Sequence, residues 1–160
     1  PPSIEPLSAR DALGVRLRHG GEITDVYLNL QADGRRMHEN TNNVIEGWDT
    51  DAYLFAVTRP VASAEATPDN VTRAFVSSGS YLRKSGQVLL DSLSKVEAVW
   101  RPGTTTGVLL EGQEVVEVSI RVAARPAALT ANGKRAAFEY SPRTKLVSFR
   151  VGHRLAPAGL

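Results

Sequence analysis

Apolar and polar side chains alternate along most of this chain, the period of a strand with one face buried. Leu13, Val15 and Leu17 alternate with Gly14, Arg16 and Arg18, and Val26, Leu28 and Leu30 alternate with Tyr27, Asn29 and Gln31. Both runs predict half-buried strands, with the leucines and valines expected on the core side. His19-Gly20-Gly21-Glu22 between them, and Asp33-Gly34 after them, supply residues that tolerate positive φ, so the first forty residues read as a meander. Tyr53, Phe55 and Val57 alternate with Leu54 and Ala56, which makes both faces apolar and predicts a central strand ending at Arg59-Pro60.

Val61 to Asn70 is small and polar, with Pro68-Asp69-Asn70 as turn chemistry, and predicts a surface loop. Strands resume at Val71 to Ser77. Gly79 to Arg83 and Gln87 to Leu90 flank the tight turn Lys84-Ser85-Gly86, and Val96, Ala98 and Trp100 alternate with Lys95, Glu97 and Val99 before Arg101-Pro102-Gly103 breaks the run. Val108 to Leu110 and Glu114 to Val122 follow, the latter setting Val116, Val118, Ile120 and Val122 against Glu117, Ser119 and Arg121. Asn132-Gly133 is the dipeptide a type I′ hairpin wants, and Ser141-Pro142-Arg143 turns Arg135–Tyr140 onto Lys145–Val151. Roughly ten to twelve short strands at regular spacing predict an all-β fold, an antiparallel, jelly-roll-like β-sandwich. Leu89 to Val99 is the one stretch whose leucines also fit a helical period.

The chain has 160 residues, 42% hydrophobic and none of them cysteine, enough for one cored domain without disulfides. Pro1-Pro2-Ser3-Ile4-Glu5-Pro6 reads as extended linker cut from a longer polypeptide, which divides the chain into a linker at 1–12, a single sandwich domain at 13–155 and a tail at 156–160. No secretory leader pattern and no apolar run of about eighteen residues is present, so no membrane partner is expected. The formal charge of +2 leaves no large positive field, and nucleic acid is not an expected partner. Arg16 with Arg18, Arg35 with Arg36, and Arg83 with Lys84 read as charged strand faces, although a guanidinium also binds uronate or sulfate bidentately.

The Thr50-Asp51-Ala52-Tyr53-Leu54-Phe55-Ala56-Val57 strand leading to Arg59-Pro60, the Leu89-Leu90-Asp91-Ser92 stretch, and Leu129-Thr130-Ala131-Asn132-Gly133-Lys134 ahead of Phe138-Glu139-Tyr140 carry a resemblance. Their order over residues 13 to 151 resembles the β-sandwich appended to the catalytic α-domain of polysaccharide lyases of the heparinase II/III-like group. Asn-Gly-Lys hairpins of this kind also close β-sandwiches of several glycoside hydrolases. The resemblance implies an accessory domain of a secreted or periplasmic enzyme. In such lyases the acid, base and charge-neutralising groups come mostly from the helical domain, which this chain lacks, so no catalytic residue is expected here.

The densest polar segment is His38-Glu39-Asn40-Thr41-Asn42-Asn43 followed by Glu46-Gly47-Trp48-Asp49-Thr50-Asp51. Amides and carboxylates hydrogen-bond vicinal sugar hydroxyls and an indole stacks on a pyranose, so His38, Asn40, Asn42, Asn43, Trp48, Asp49, Asp51 and Tyr53 are the candidate glycan or partner contacts. The competing reading is that Asn and Asp build turns while Trp48 packs on the sandwich edge. One histidine with scattered carboxylates is too few ligands for zinc, and no cofactor is expected. A structural calcium on Asp49, Asp51 and loop carbonyls is the remaining metal reading. His19, His38 and His153 have no serine elbow to serve, since Ser78-Gly79-Ser80 lacks its pattern, and Glu111, Glu114 and Glu117 read as solvated edges rather than a glycosidase pair. Asn70-Val71-Thr72 fits a glycosylation sequon.

The expected function is therefore an accessory domain of a polysaccharide-degrading, lyase-like enzyme, with the catalytic domain of the same polypeptide and a polysaccharide as partners. The alternative is an adhesion or scaffold module that binds a protein through a sheet edge or loop end.

Overall fold

The computed structural model describes residues 1–31, 44–102, 107–111 and 116–151. Fourteen strands run in chain order as β1 (Ser3–Ala9), β2 (Ala12–His19), β3 (Glu22–Asn29), β4 (Val44–Ile45), β5 (Trp48–Thr50), β6 (Leu54–Pro60), β7 (Arg73–Lys84), β8 (Gln87–Arg101), β9 (Gly107–Glu111), β10 (Val116–Arg121), β11 (Leu129–Ala131), β12 (Lys134–Ala136), β13 (Glu139–Ser141) and β14 (Leu146–Val151). No described residue is helical, and Leu89 to Val99 lies wholly within β8. Twelve strands form one antiparallel sheet in the order β1-β2-β3-β6-β7-β8-β10-β14-β13, with β4-β5 attached to β7 and β9 to β8; β11 and β12 form a separate hairpin.

The two long strands turn this one sheet into two layers. The first half of β7 pairs with β6 through Arg73–Ser77, whereas its last residues pair with β5 through Leu82–Lys84. Strand β8 divides likewise, pairing with β10 at Leu90–Ser92 and with β9 at Glu97–Arg101. A flat β8 would put Trp100 about 33 Å along the strand from Leu90. Yet the Trp100 indole N–H donates to the Arg121 carbonyl at 3.0 Å, next to Ile120, the partner of Leu90. The sheet therefore folds back on itself. The fold lies at the irregular register between Val76 and Arg83, where Ser78 has φ 49° and Gly79 presses on Ala52. Phe55, Val57, Val76 and Trp100 from one half and Leu82, Leu90, Val118, Val147 and Phe149 from the other belong to one buried cluster.

Residues 3–9, expected to be linker, are the edge strand β1, in full register with β2 from Ser3↔Arg18 to Ala9↔Ala12. Pro6 is tolerated there because an edge strand leaves one side of its backbone unpaired. A larger correction concerns which side of β2 and β3 is buried. Leu13 is 62% exposed and Val15 39%, while the buried positions of β3 are Ile23, Asp25, Tyr27 and Asn29. The neighbour β6 decides this. Its Phe55 and Val57 occupy the core, and the register sets them opposite Tyr27 and Asp25, so Val26 and Leu28 must face outward. Tyr27 stacks on Phe55 with ring centroids 5.2 Å apart and fills the space over Gly14, where an added Cβ would lie 3.0 Å from its ring.

The inward Asp25 is held by two guanidinium groups. Arg59 NH1 donates to Oδ2 at 3.1 Å, and Arg16 donates through Nε at 2.7 Å and NH2 at 2.9 Å. The Asp25 hydrogen bonds raise the Arg16 pKa against the opposing effect of burial. Arg59 also donates to the Ser63 and Ala64 carbonyls, tying down the loop after β6. Lys84 reaches the same loop at the Ala66 carbonyl (2.7 Å) and Arg121 at Asp69 (2.8 Å). What reads as a plain surface loop thus plugs one end of the sandwich, with Ala66, Pro68 and Val71 buried.

Candidate functional site

Strand β5 enters beside the last residues of β7, pairing Trp48 with Lys84, Asp49 with Arg83 and Thr50 with Leu82. Period-two alternation then sorts the side chains. Trp48 and Thr50 turn inward with Leu82, and Asp49 shares the opposite side of the strands with Arg83 and with Tyr81, which is itself only 6% exposed. Trp48, expected as a stacking platform, is only 2% exposed and lies in the core with the Lys84 ammonium 5.6 Å from its ring. The local reason is that Glu46 and Gly47, with φ 51° and 83°, make a two-residue hairpin turn, so Trp48 opens a strand rather than sitting in a loop.

Asp51 is fully buried and committed to the protein. It accepts from the Ser80 N–H (2.7 Å), the Ser80 hydroxyl (2.5 Å) and the Tyr81 N–H (3.3 Å). Asp49 instead accepts from Arg83 Nε at 2.8 Å. The two carboxylates expected to share a calcium ion therefore answer to different partners, and among the described residues no three His, Asp or Glu side chains are grouped to hold a metal. Tyr53 is 53% exposed at the rim just before β6. His38, Asn40, Asn42 and Asn43 lie outside the described residues.

What the fold assembles is a polar corner on the outer face of the second layer. The Arg83 guanidinium lies 4.8 Å from the Tyr81 ring centroid while its Nε is held by Asp49. That hydrogen bond raises the Arg83 pKa. Burial, with the charges of Asp49 and Asp51, pushes the Tyr81 phenol up to about 12. Among the described residues the terminal amino groups of Arg83 have no acceptor, and the buried Asp49 Oδ1 has no donor. From Tyr81 the register continues to Asp91 on β8, Ser119 on β10, Ser148 on β14 and Glu139 on β13. The Ser119 and Ser148 hydroxyls are 2.7 Å apart. At about 4.8 Å per strand this row is roughly 19 Å long.

In the sequence Arg83 reads as one of several basic pairs on charged strand faces, with uronate or sulfate binding as the other reading, and Tyr81 carries no mark of its own. A signal was present, since Tyr81 and Arg83 alternate with Leu82, but their convergence with Asp49 needs the β5–β7 pairing. No protein-family model matches this chain, and no curated protein sequence matches it.

Proposed function

We propose that this chain is an accessory β-sandwich domain of a secreted or periplasmic polysaccharide-degrading enzyme of the lyase type. It supports a catalytic domain of the same polypeptide and contacts glycan at the Asp49–Arg83–Tyr81 corner. The observation that carries the reading is Arg83 itself. Its guanidinium is pre-oriented by stacking and by the Asp49 bond, and its outer amino groups have no acceptor among the described residues. Fixed donors and acceptors beside a row of serine hydroxyls suit the dense hydroxyls of a sugar chain. The resemblance over residues 13 to 151 points to the same class of enzyme.

Asp49 and Asp91 lie beside Arg83, so the corner presents one guanidinium among carboxylates. Affinity electrophoresis of the full polypeptide in neutral and acidic polysaccharides tests the reading. R83A is expected to weaken retention by about tenfold, the size of one lost charge-assisted hydrogen bond. Unchanged retention in both R83A and D49A would overturn the glycan assignment.

A further inference from the structure

The described asparagines Asn29, Asn70 and Asn132 differ at the one backbone atom that can attack their side chains, the nitrogen of the next residue. After Asn29 the Leu30 N–H donates to the Asp11 carbonyl at 3.0 Å, and after Asn70 the Val71 N–H donates to the Thr67 carbonyl at 3.1 Å. Both side-chain amides are tied at each end as well, Asn29 to the Ala52 carbonyl and the Gln31 N–H, Asn70 to the Glu65 carbonyl and the Thr67 N–H. Asn132 is exposed and is followed by Gly133, in a two-residue turn between the paired Ala131 and Lys134. Such a turn leaves the N–H of its second central residue without a backbone acceptor. Nothing lies within 4 Å of a Cβ added at Gly133, so no side chain shields that nitrogen from its own side.

The turn itself controls the reaction. Its φ values of 53° and 76° are those of type I′, whose first central residue has ψ of about 30°. At that ψ the Asn132 Cβ lies anti to the Gly133 nitrogen across the Cα–C bond, whereas closure of a five-membered ring needs the two eclipsed. The hairpin that holds the turn is short. Strands β11 and β12 meet in three residue pairs and join no strand of the twelve-stranded sheet, and Leu129 is the hairpin side chain packed against the core. Two-stranded hairpins are marginal without such packing. We propose that Asn132 is a site of spontaneous covalent modification, blocked by the intact turn and released by opening of the β11–β12 hairpin. In the open hairpin the Gly133 nitrogen gives its proton to hydroxide and bonds to the Asn132 Cγ, and the side-chain nitrogen leaves as ammonia. Water then opens the succinimide at either carbonyl, giving aspartate or isoaspartate with no oxidation or reduction. Aspartate fits the turn as asparagine does. Isoaspartate carries the main chain through Cβ and Cγ, one atom more than the two-residue turn accommodates, so the modified hairpin stays open and uncovers Leu129.

The chain is incubated at mildly alkaline pH, folded in buffer and unfolded in urea, and each asparagine is followed by peptide mass mapping with isoaspartyl methyl transfer. In the folded chain Asn132 is expected to convert at least about tenfold faster than Asn29 and Asn70, yet at least about tenfold more slowly than in urea, because only the open fraction reacts. Leu129→Ala should speed Asn132 severalfold and leave Asn29 and Asn70 unchanged. Equal Asn132 rates in the folded and unfolded chain would overturn the block by the turn. An Asn132 that stays intact in the folded chain, or converts only in step with Asn29 and Asn70, would overturn local opening. If Leu129→Ala unfolds the chain and speeds all three residues, hydrogen exchange of the unsubstituted protein decides. Amides of residues 129–136 are expected to exchange ahead of those in β3 and β7, and exchange no faster than theirs would overturn the proposal.

Discussion

Tyr27 and Tyr81 are both buried, on opposite sides of the sheet, and both phenols are pushed up to about 12, first by burial and then by nearby carboxylates, Asp25 for Tyr27 and Asp49 with Asp51 for Tyr81. A folded-state value above the ordinary 10 means that folding favours the protonated phenol. The stability this contributes is complete below about pH 10 and is lost as pH rises from there through about 12. Unfolding free energy measured by denaturant should therefore fall across that window, and Y27F should flatten the fall. Phenolate absorbance of the native protein should show two late-ionising tyrosines. Trp48 supplies the second residue-scale prediction. As a core indole, its replacement in Trp48→Ala should cost about 3–5 kcal/mol, read as a shift in the denaturation midpoint. A rim residue would leave the midpoint in place.

Local turn chemistry and remote packing make different demands on two glycines. Asn132 and Gly133 have φ 53° and 76°, both central residues of the β11–β12 turn, and nothing lies within 4 Å of a Cβ added at Gly133. Gly133→Val should therefore cost about 1–3 kcal/mol through backbone strain alone. Gly79 poses the opposite case. A Cβ there would lie 2.5 Å from Val76 Cγ1 and 2.9 Å from the Ala52 backbone, so Gly79→Ala must push the β5–β6 connection away from the fold in β7. Overpacking of this kind costs about 1–3 kcal/mol. Thermal melts of both variants check the pair, and hydrogen exchange should localise the Gly79→Ala effect to residues 51–54 and 76–81. The Asn-Gly turn was legible because its cause lies in two adjacent residues. The demand on Gly79 was not, because Ala52 reaches it only through the folded sheet.

Closure of the whole molecule depends on cations that reach across the sandwich to the loop between β6 and β7. Arg121, nearly buried, donates to Asp69, and Lys145 stands 3.5 Å from the same oxygen. The Arg121 hydrogen bond holds the Asp69 carboxyl below its usual range, with the charges of Arg121 and Lys145 adding to it. Its contribution is therefore present above about pH 4, the unfolded value, and is lost as pH falls through the lower folded value. Because Asp69 is half exposed, the effect should be at most about 1 kcal/mol. The difference in melting temperature between the native protein and Asp69→Asn should shrink as the pH is lowered below about 4, and a difference that persists in acid would show that the pair does not anchor the loop.

Alternation of β-branched and polar residues, Asn-Gly and Gly-Gly turns, and a length sufficient for one core are properties of neighbouring residues. They determined by themselves an antiparallel all-β chain, the inward set Val96, Ala98 and Trp100, and the turns at Ser85-Gly86 and Asn132-Gly133. Alternation also separates two sides of a strand, but it does not say which side the molecule will cover. Leu13, Val15 and Leu28 face outward because Phe55 and Val57 claim the core and a fixed register hands Tyr27 and Asp25 the positions opposite them. Trp48 faces inward because pairing with Lys84 sets its parity, and Asp49 meets Arg83 for the same reason. Each of these outcomes depends on contacts between residues distant in the chain, which only the folded sheet brings together.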